Sequence, residues 1–172
     1  MGTDSEAVED VEVDVDVDLD QVSITIVEGN AELEGHNPLD LSVPAADPLA
    51  GYASKSFCMS WHCTNVTVSN SAVMAASHEA WIGAKATHTN DSINFYWARV
   101  EHHVYDYSNT HYVSTVSCTY NGEWAKKYYL PCTIVVKGLD GYTARTRLCA
   151  DIKDDGKGTI CTEPFAYAKA VW

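Results

Sequence analysis

The first 50 residues of this 172-residue chain contain no lysine and no arginine, although they carry 14 of its 24 acidic residues. The formal net charge of the whole chain is -13. A surface this negative repels the phosphate backbone, so we expect no nucleic-acid partner. The acidity is local, because residues 51–172 hold 10 acidic and 11 basic residues.

Long apolar runs and the common catalytic motifs are also missing. No stretch is long and apolar enough to span a bilayer, and no basic segment followed by an apolar core opens the chain. An export signal, if one existed, is therefore expected to have been removed. The sequence contains no Gly-x-Gly-x-x-Gly, no P-loop and no Gly-x-Ser-x-Gly elbow. We expect no cofactor, no catalytic residue and a non-enzymatic protein.

Helical periodicity is absent, whereas short β-prone segments recur between turn signals. Asn121-Gly122, Asp140-Gly141 and residues 154–158 are typical of tight hairpin turns. This spacing predicts an all-β fold, an antiparallel sandwich or a small barrel. The predicted strands are 64–74, 81–89, 93–107, 111–120, 132–137, 142–152, 158–162 and 165–172.

The six cysteines favour three disulfides and therefore an oxidising, extracellular compartment. Six cysteines allow 15 pairings, and neighbours in sequence give one consistent set. In this set the two later bonds each bracket a turn and would staple a hairpin. A zinc site is the alternative, but the spacings lack the paired knuckles of structural zinc sites, and we expect no metal. The predicted bonds are Cys58–Cys63, Cys118–Cys132 and Cys149–Cys161.

The clearest periodic signal lies near the N-terminus, where residues 11–20 alternate without a fault. An extended chain would carry the apolar side chains on one face and the carboxylates on the other. The carboxylates repel one another, so this strand needs a sheet edge to pair with. They do not form an EF-hand, because the twelfth position counted from Asp14 is Thr25 rather than Glu. The apolar row is Val11, Val13, Val15, Val17 and Leu19, and the central acids are Asp14, Asp16 and Asp18.

Two domains follow from this pattern. Residues 1–50 form an extended acidic arm and linker, and residues 51–172 form a disulfide-stabilised β domain. We expect residues 11–27 of the arm to add as a strand to the sheet of a partner, among other secreted protein subunits. In the alternative, the arm folds back as an edge strand of its own domain.

The predicted strand 93–107 has two distinct faces. One is aromatic with interspersed charge, a composition found in binding hot spots, although aromatics also cover second cores. The opposite face, with Ala98, Val100 and Val104, is the predicted core side, together with Tyr96 and His102. The predicted binding face consists of Phe95, Trp97, Arg99, Glu101, His103, Tyr105 and Tyr107.

Two alternative functions use residues of this strand. A carbohydrate- or cell-surface-binding module would stack sugars on Trp97, Tyr105 and Tyr107. A small secreted hydrolase would rely on His103, Glu101 and Asp106.

Other residues match ligand or modification patterns. Ligand types for zinc or copper are supplied by His88, His102, His103 and His111, but His102 and His103 point to opposite faces of a strand. Asn65 and Asn90 match the pattern of N-glycan acceptors.

The segment from Arg145 to Trp172 carries Cys149 and Cys161 around an acidic turn, followed by an aromatic-rich strand. In this it resembles the C-terminal part of small exported actinobacterial β-proteins. Among these, the adaptor subunits of umbrella toxin particles also join a compact β domain to an extended N-terminal docking segment. The resemblance implies a role in holding other secreted subunits together, and it implies no catalytic residue.

Overall fold

The computed structural model of the chain describes residues 21–29 and 51–172. These residues form an all-β fold, and none of them belongs to a helix that could cross a membrane. The strands are β1 (Ser23–Glu28), β2 (Gly51–Met59), β3 (His62–Ala76), β4 (Glu79–His88), β5 (Phe95–Asp106), β6 (Tyr112–Asn121), β7 (Leu130–Lys137), β8 (Gly141–Ile152), β9 (Thr159–Cys161) and β10 (Ala166–Val171).

Two antiparallel sheets contain these strands. Sheet A has the order β1-β7-β4-β3-β2, and sheet B has the order β10-β8-β5-β6, with β9 paired to β8. The side chains that alternate inward along both sheets form one hydrophobic core, to which Phe57, Ile82, Ile134 and Leu148 contribute fully buried side chains. Packing of two sheets over a shared core is consistent with the predicted β-sandwich.

All three predicted disulfides are present, and they do not all have the same role. Cys58–Cys63 joins β2 to β3, and Cys149–Cys161 joins β8 to β9, so both link paired strands. Cys118–Cys132 instead joins β6 of sheet B to β7 of sheet A. The prediction that this bond staples a hairpin is therefore wrong. It connects the two sheets.

Of the three predicted hairpin turns, one is formed and two are not. Residues 154–158 join the paired strands β8 and β9, as expected. The hairpins expected at Asn121-Gly122 and Asp140-Gly141 are not formed, because the chain changes sheets after β6 and again after β7. Buried Trp124 lies in the first of these connections, and its indole nitrogen donates to the carbonyl of Tyr128 at 3.2 Å.

Strand β1 places part of the predicted arm in the body of the protein. It pairs antiparallel with β7, from Ser23 opposite Lys137 to Glu28 opposite Thr133. For residues 23–28 the structure therefore shows the alternative expectation, an edge strand of the chain's own sheet. The apolar row Val11–Leu19 and the acids Asp14, Asp16 and Asp18 lie outside the described residues.

Candidate binding face

The outward side chains of β5 lie on the solvent side of sheet B. From residue 97 onward the alternation follows the prediction, because Ala98, Val100, His102 and Val104 are fully buried. Side chains between them face outward and are buried to different degrees, and they are those of Trp97, Arg99, Glu101, His103 and Tyr105. Tyr107 follows the strand and is 43% exposed.

Phe95 does not belong to this face, which corrects the prediction. The register against β8 shifts between Phe95 and Trp97, which marks a bulge that reverses the alternation. Phe95 is therefore buried and packs against His88 and Trp124, with both ring centroids 5.3 Å away. Tyr96, which was expected in the core, is 49% exposed.

Neighbouring strands add cations to the outer face of sheet B. On β8, Arg145 lies opposite His103 and Arg147 lies opposite Glu101. On β10, Lys169 lies opposite Thr143 of β8. The chain has only three arginines, and all of them lie on this face. We define the arginine face as Arg99, Glu101, His103, Arg145, Arg147 and Lys169 with the rings of Trp97, Tyr105, Tyr107, Phe165 and Tyr167.

Glu101 is the carboxylate at the centre of the arginine face and is only 5% exposed. It accepts hydrogen bonds from Arg99 Nε at 2.6 Å, Arg147 Nε at 2.9 Å and His103 Nε2 at 3.0 Å. Burial opposes ionisation of Glu101, but the bonds from Arg147, His103 and Arg99 outweigh it and lower its pKa below the usual value. Glu101 is therefore ionised at neutral pH, and its carboxylate holds the side chains of Arg99 and Arg147 in place through these hydrogen bonds.

Aromatic rings support each cation from the side. The guanidinium carbon of Arg99 lies 4.9 Å from the ring centroid of Trp97, and that of Arg147 lies 5.0 Å from that of Phe165. The ammonium of Lys169 lies 5.3 Å from the centroid of Tyr107. Such contacts hold a cation in place without neutralising its charge. They also cover ring area that a sugar would need for stacking.

Arg145 is the arginine that no described carboxylate pairs with. Its guanidinium lies 4.3 Å from the ring centroid of Tyr105 and 5.9 Å from that of Tyr167. Its Nε and Nη2 donate to Asn109 Oδ1 at 3.1 and 2.9 Å, and the Asn109 amide donates to the Tyr167 hydroxyl. The loop after β5 is thereby tied to β8 and β10, and no carboxylate of the described residues offsets the charge of Arg145.

The four histidines with expected ligand character occupy separate environments. His88 and His102 are buried, and each binds a threonine hydroxyl and a backbone carbonyl. His103 contacts Glu101, and His111 Nδ1 lies 2.7 Å from Asp106 Oδ2. Within the described ranges, no group of three or more His, Cys, Asp or Glu is placed to hold a metal ion.

Asp106, expected in the hydrolase alternative, organises the turn after β5. Its carboxylate accepts hydrogen bonds from Ser108 Oγ, from the Thr110 and His111 amides and from the His111 ring. Burial raises the pKa of Asp106, and the bonds from His111 and its neighbours outweigh this and lower it. Ser108 and His111 both bond to the same carboxylate, which is not the serine-to-histidine-to-acid order of a catalytic triad.

The two glycan acceptor patterns differ in their surroundings. The Asn65 side chain is exposed on β3. The Asn90 amide nitrogen donates to the Cys63 carbonyl at 2.9 Å, and Asn90 Oδ1 accepts from the Ser92 amide at 2.9 Å. A glycan on Asn90 would replace a hydrogen of the amide nitrogen that donates to Cys63 and would crowd this bond, whereas the Asn65 side chain is exposed.

Sequence reasoning identified the β5 part of the arginine face and missed the β8 and β10 parts. The alternation Ala144-Arg145-Thr146-Arg147-Leu148 was a usable signal, since it places two cations on the outer side of a strand. Comparison of the chain with protein-family models, with curated proteins and with solved structures finds no match to any of them.

Proposed function

We propose that the protein is a non-enzymatic, secreted adaptor that docks a partner protein through the segment upstream of β1. The observation that carries this proposal is the position of β1 at the edge of sheet A, where β7 is its only partner among the described strands. The alternating run from Val11 to Asp20 ends directly before this edge strand. The docking segment is thus attached to the rim of the sheet.

Strand addition explains why this segment alternates. Main-chain hydrogen bonds to a partner strand supply affinity, and every second side chain enters a pocket. In this proposal Val13, Val15 and Val17 fill the partner's groove, at roughly 25 cal/mol for each Å² of apolar surface buried. The acid row prevents unspecific pairing of the arm with other sheet edges.

The disulfides and the resemblance support the secreted adaptor role. Three disulfides are typical of proteins from oxidising, extracellular compartments. The chain also resembles the umbrella toxin adaptors, which join a compact β domain to an extended N-terminal segment. The partner in this proposal is another secreted subunit of the same assembly.

Carbohydrate or cell-surface binding is the second candidate, because the arginine face gathers aromatic rings from neighbouring strands. Tyr107 is 43% and Tyr167 is 39% exposed, so both offer ring edges to a ligand. Titration with glycans while tryptophan fluorescence is recorded tests this candidate. A saturable change that Tyr107→Ala abolishes would favour it over the adaptor.

The adaptor proposal is tested with immobilised full-length protein and native culture medium, followed by quantitative mass spectrometry. The triple variant Val13→Ser, Val15→Ser, Val17→Ser should retain at most a tenth of the specific partner. The matched control is Val73→Ser with Val171→Ser, which changes valines that are 46% and 58% exposed on the body. Equal capture by the arm variant and the parent would disprove docking through the arm.

A further inference from the structure

The arginine face concentrates positive charge in a protein whose net charge is -13. It carries Arg99, Arg145, Arg147 and Lys169 against the carboxylates of Glu101 and Asp151, so four cations and two anions leave +2 before His103 is counted. Asp151 lies at the far end of the same face, opposite Trp97. A carboxylate-rich segment would complement a cationic surface of this kind.

The cations lie in four consecutive rows across the sheet. Lys169 shares a row with Thr143, and Arg145 shares the next row with His103. Arg147 and Glu101 form the third row, and Arg99 lies opposite Cys149 in the fourth. Rows on one face of a sheet are two residues apart, which is about 6.5–7 Å along the strands.

The chain itself contains a segment with the same repeat and the opposite charge. Residues 10–20 place an acid at every second position, and those side chains repeat at about 6.5–7 Å when the backbone is extended. Six carboxylates are available for four rows. The two extra carboxylates can lie in the residues next to Gln21, which cross the end of the sandwich. Four carboxylates then remain, one for each row of cations.

The start of β1 lies near the correct end of the face. Gln21 lies beside Gly138, in the connection from β7 to β8, since a Cβ at Gly138 would be 2.8 Å from the Gln21 carbonyl oxygen. That connection leads to Gly141, which packs closely against Tyr107 of the arginine face. An extended chain covers at most about 3.3–3.6 Å per residue, so the 11 residues from 10 to 20 span roughly 36–40 Å. Four rows take up roughly 20 Å of this length, which leaves the remainder for the path around the sandwich edge.

We infer that the acid row of residues 10–20 docks on the arginine face of its own chain. Carboxylates of the arm bind Arg145 most directly, because no carboxylate of the described residues pairs with it, and Arg147 lies in the next row. The valine row then points away from the body and toward the partner. This inference concerns the acid row alone, and its test contains no partner, so it can fail without the adaptor proposal.

The first test uses nitrogen-15 NMR of the full-length protein at low salt. The chain has three arginines, so three Nε–H signals report on the face. The variant Asp14→Asn, Asp16→Asn, Asp18→Asn should shift the Arg145 and Arg147 signals, and 1 M NaCl should shift them in the parent because it screens charges beyond about 3 Å. The matched control Asp4→Asn, Glu6→Gln, Glu9→Gln removes the same charge outside the alternating run and should leave both signals in place.

The second test is zero-length carbodiimide cross-linking of the same protein. Lys169 should couple to acids of residues 10–20 at least fivefold more often than Lys126 or Lys127, which are exposed lysines outside the face. Mixing isotope-labelled and unlabelled protein separates coupling within a chain from coupling between copies. Unchanged arginine signals in the arm variant, cross-linking spread evenly over the lysines, or coupling mainly between copies would each overturn the inference.

Discussion

His102 on β5 and Thr146 on β8 share a hydrogen bond of 2.8 Å between Nδ1 and Oγ1 in the interior of the sandwich. His102 Nε2 lies 2.9 Å from the Cys132 carbonyl of the opposite sheet, to which it donates. Asn70 of sheet A donates to the same Thr146 oxygen at 2.8 Å. The two sheets are therefore joined by a polar chain through their apolar core, and burial keeps the imidazole in this chain neutral.

Burial lowers the pKa of His102 from 6.5 to about 4, although the bond to Cys132 opposes the shift. Between pH 6.5 and 4 the unfolded chain binds a proton that the folded chain does not. The contribution of His102 to the free energy of unfolding should therefore fall by about 3 kcal/mol across this window. Urea titrations from pH 7.5 to 3.5 measure this. The variant His102→Gln keeps a donor and an acceptor and should lose most of that dependence.

The pKa of His88 is also lowered by burial, so its contribution to stability likewise begins to fall below the unfolded value of 6.5. NMR of the imidazole C2–H signals separates the two residues. The His102 signal should keep the shift of a neutral ring until the pH approaches 4. Titration of that signal near pH 6.5 would contradict the prediction.

The disulfide between the sheets should stabilise the fold more than the one in the first hairpin. Cys118 and Cys132 are fully buried and 14 residues apart, whereas Cys58 and Cys63 are 5 apart. Loop entropy gives about 3 kcal/mol for the longer loop and about 2 kcal/mol for the shorter. Replacing each pair by alanine and measuring urea unfolding tests the order. A larger loss in the Cys58/Cys63 variant would show the order to be wrong.

The strands were predictable because local alternation survives folding, and the exceptions have physical causes. Strand β2 was missed because its sequence Tyr-Ala-Ser-Lys-Ser-Phe lacks the β-branched run of its neighbours. The side assigned to Phe95 was wrong because a bulge is invisible to a fixed two-residue period. The hairpin at Asn121-Gly122 failed because a turn signal fixes a reversal of the chain and not the sheet that receives the next strand.

The arginine face was likewise predicted only in part, because local periodicity does not reveal which strands are neighbours. Glu101 and Arg99 were recognised because they lie on one strand. Arg147 reaches Glu101 only because β8 pairs with β5, which is a contact between residues 46 positions apart. Sequence periodicity assigns a residue to a face, and only the strand order decides which faces become one surface.

Two glycines provide a matched test of how tightly the sheets approach. A Cβ at Gly51 would overlap the Tyr167 backbone of β10 and the Asn70 side chain, whereas one at Gly83 would meet only Thr133 Oγ1 at 3.6 Å. Gly51→Ala should therefore destabilise the protein by about 1–3 kcal/mol, as overpacking does. Gly83→Ala should be neutral or slightly stabilising. Thermal unfolding distinguishes them, and equal melting temperatures would exclude the close approach of β2 to β10.

Removing the negative charge of Glu101 at the centre of the arginine face should lower the free energy of unfolding and leave the fold unchanged. Glu101→Gln keeps an acceptor but leaves Arg99 and Arg147, whose side chains are 33% and 32% exposed, without their shared carboxylate. We expect a loss of about 1–2 kcal/mol, near the lower end for an uncompensated buried partner because solvent reaches both arginines.

The loss should also depend on pH, which identifies its cause. Because Glu101 has a lowered pKa in the folded protein, its contribution is complete above the unfolded value of 4.5 and disappears as the pH falls through the folded pKa. Parent and variant should therefore differ most above pH 4.5, and the difference should shrink as the pH falls below this value in urea unfolding. Glu163→Gln is the control, since Glu163 pairs with Lys55 at 3.8 Å and its side chain is 72% exposed. That pair lies in solvent and should contribute nothing measurable. An equal loss from both substitutions, or a Glu101→Gln loss that does not decrease at all as the pH falls below 4.5, would show that the carboxylate charge does not hold the arginines.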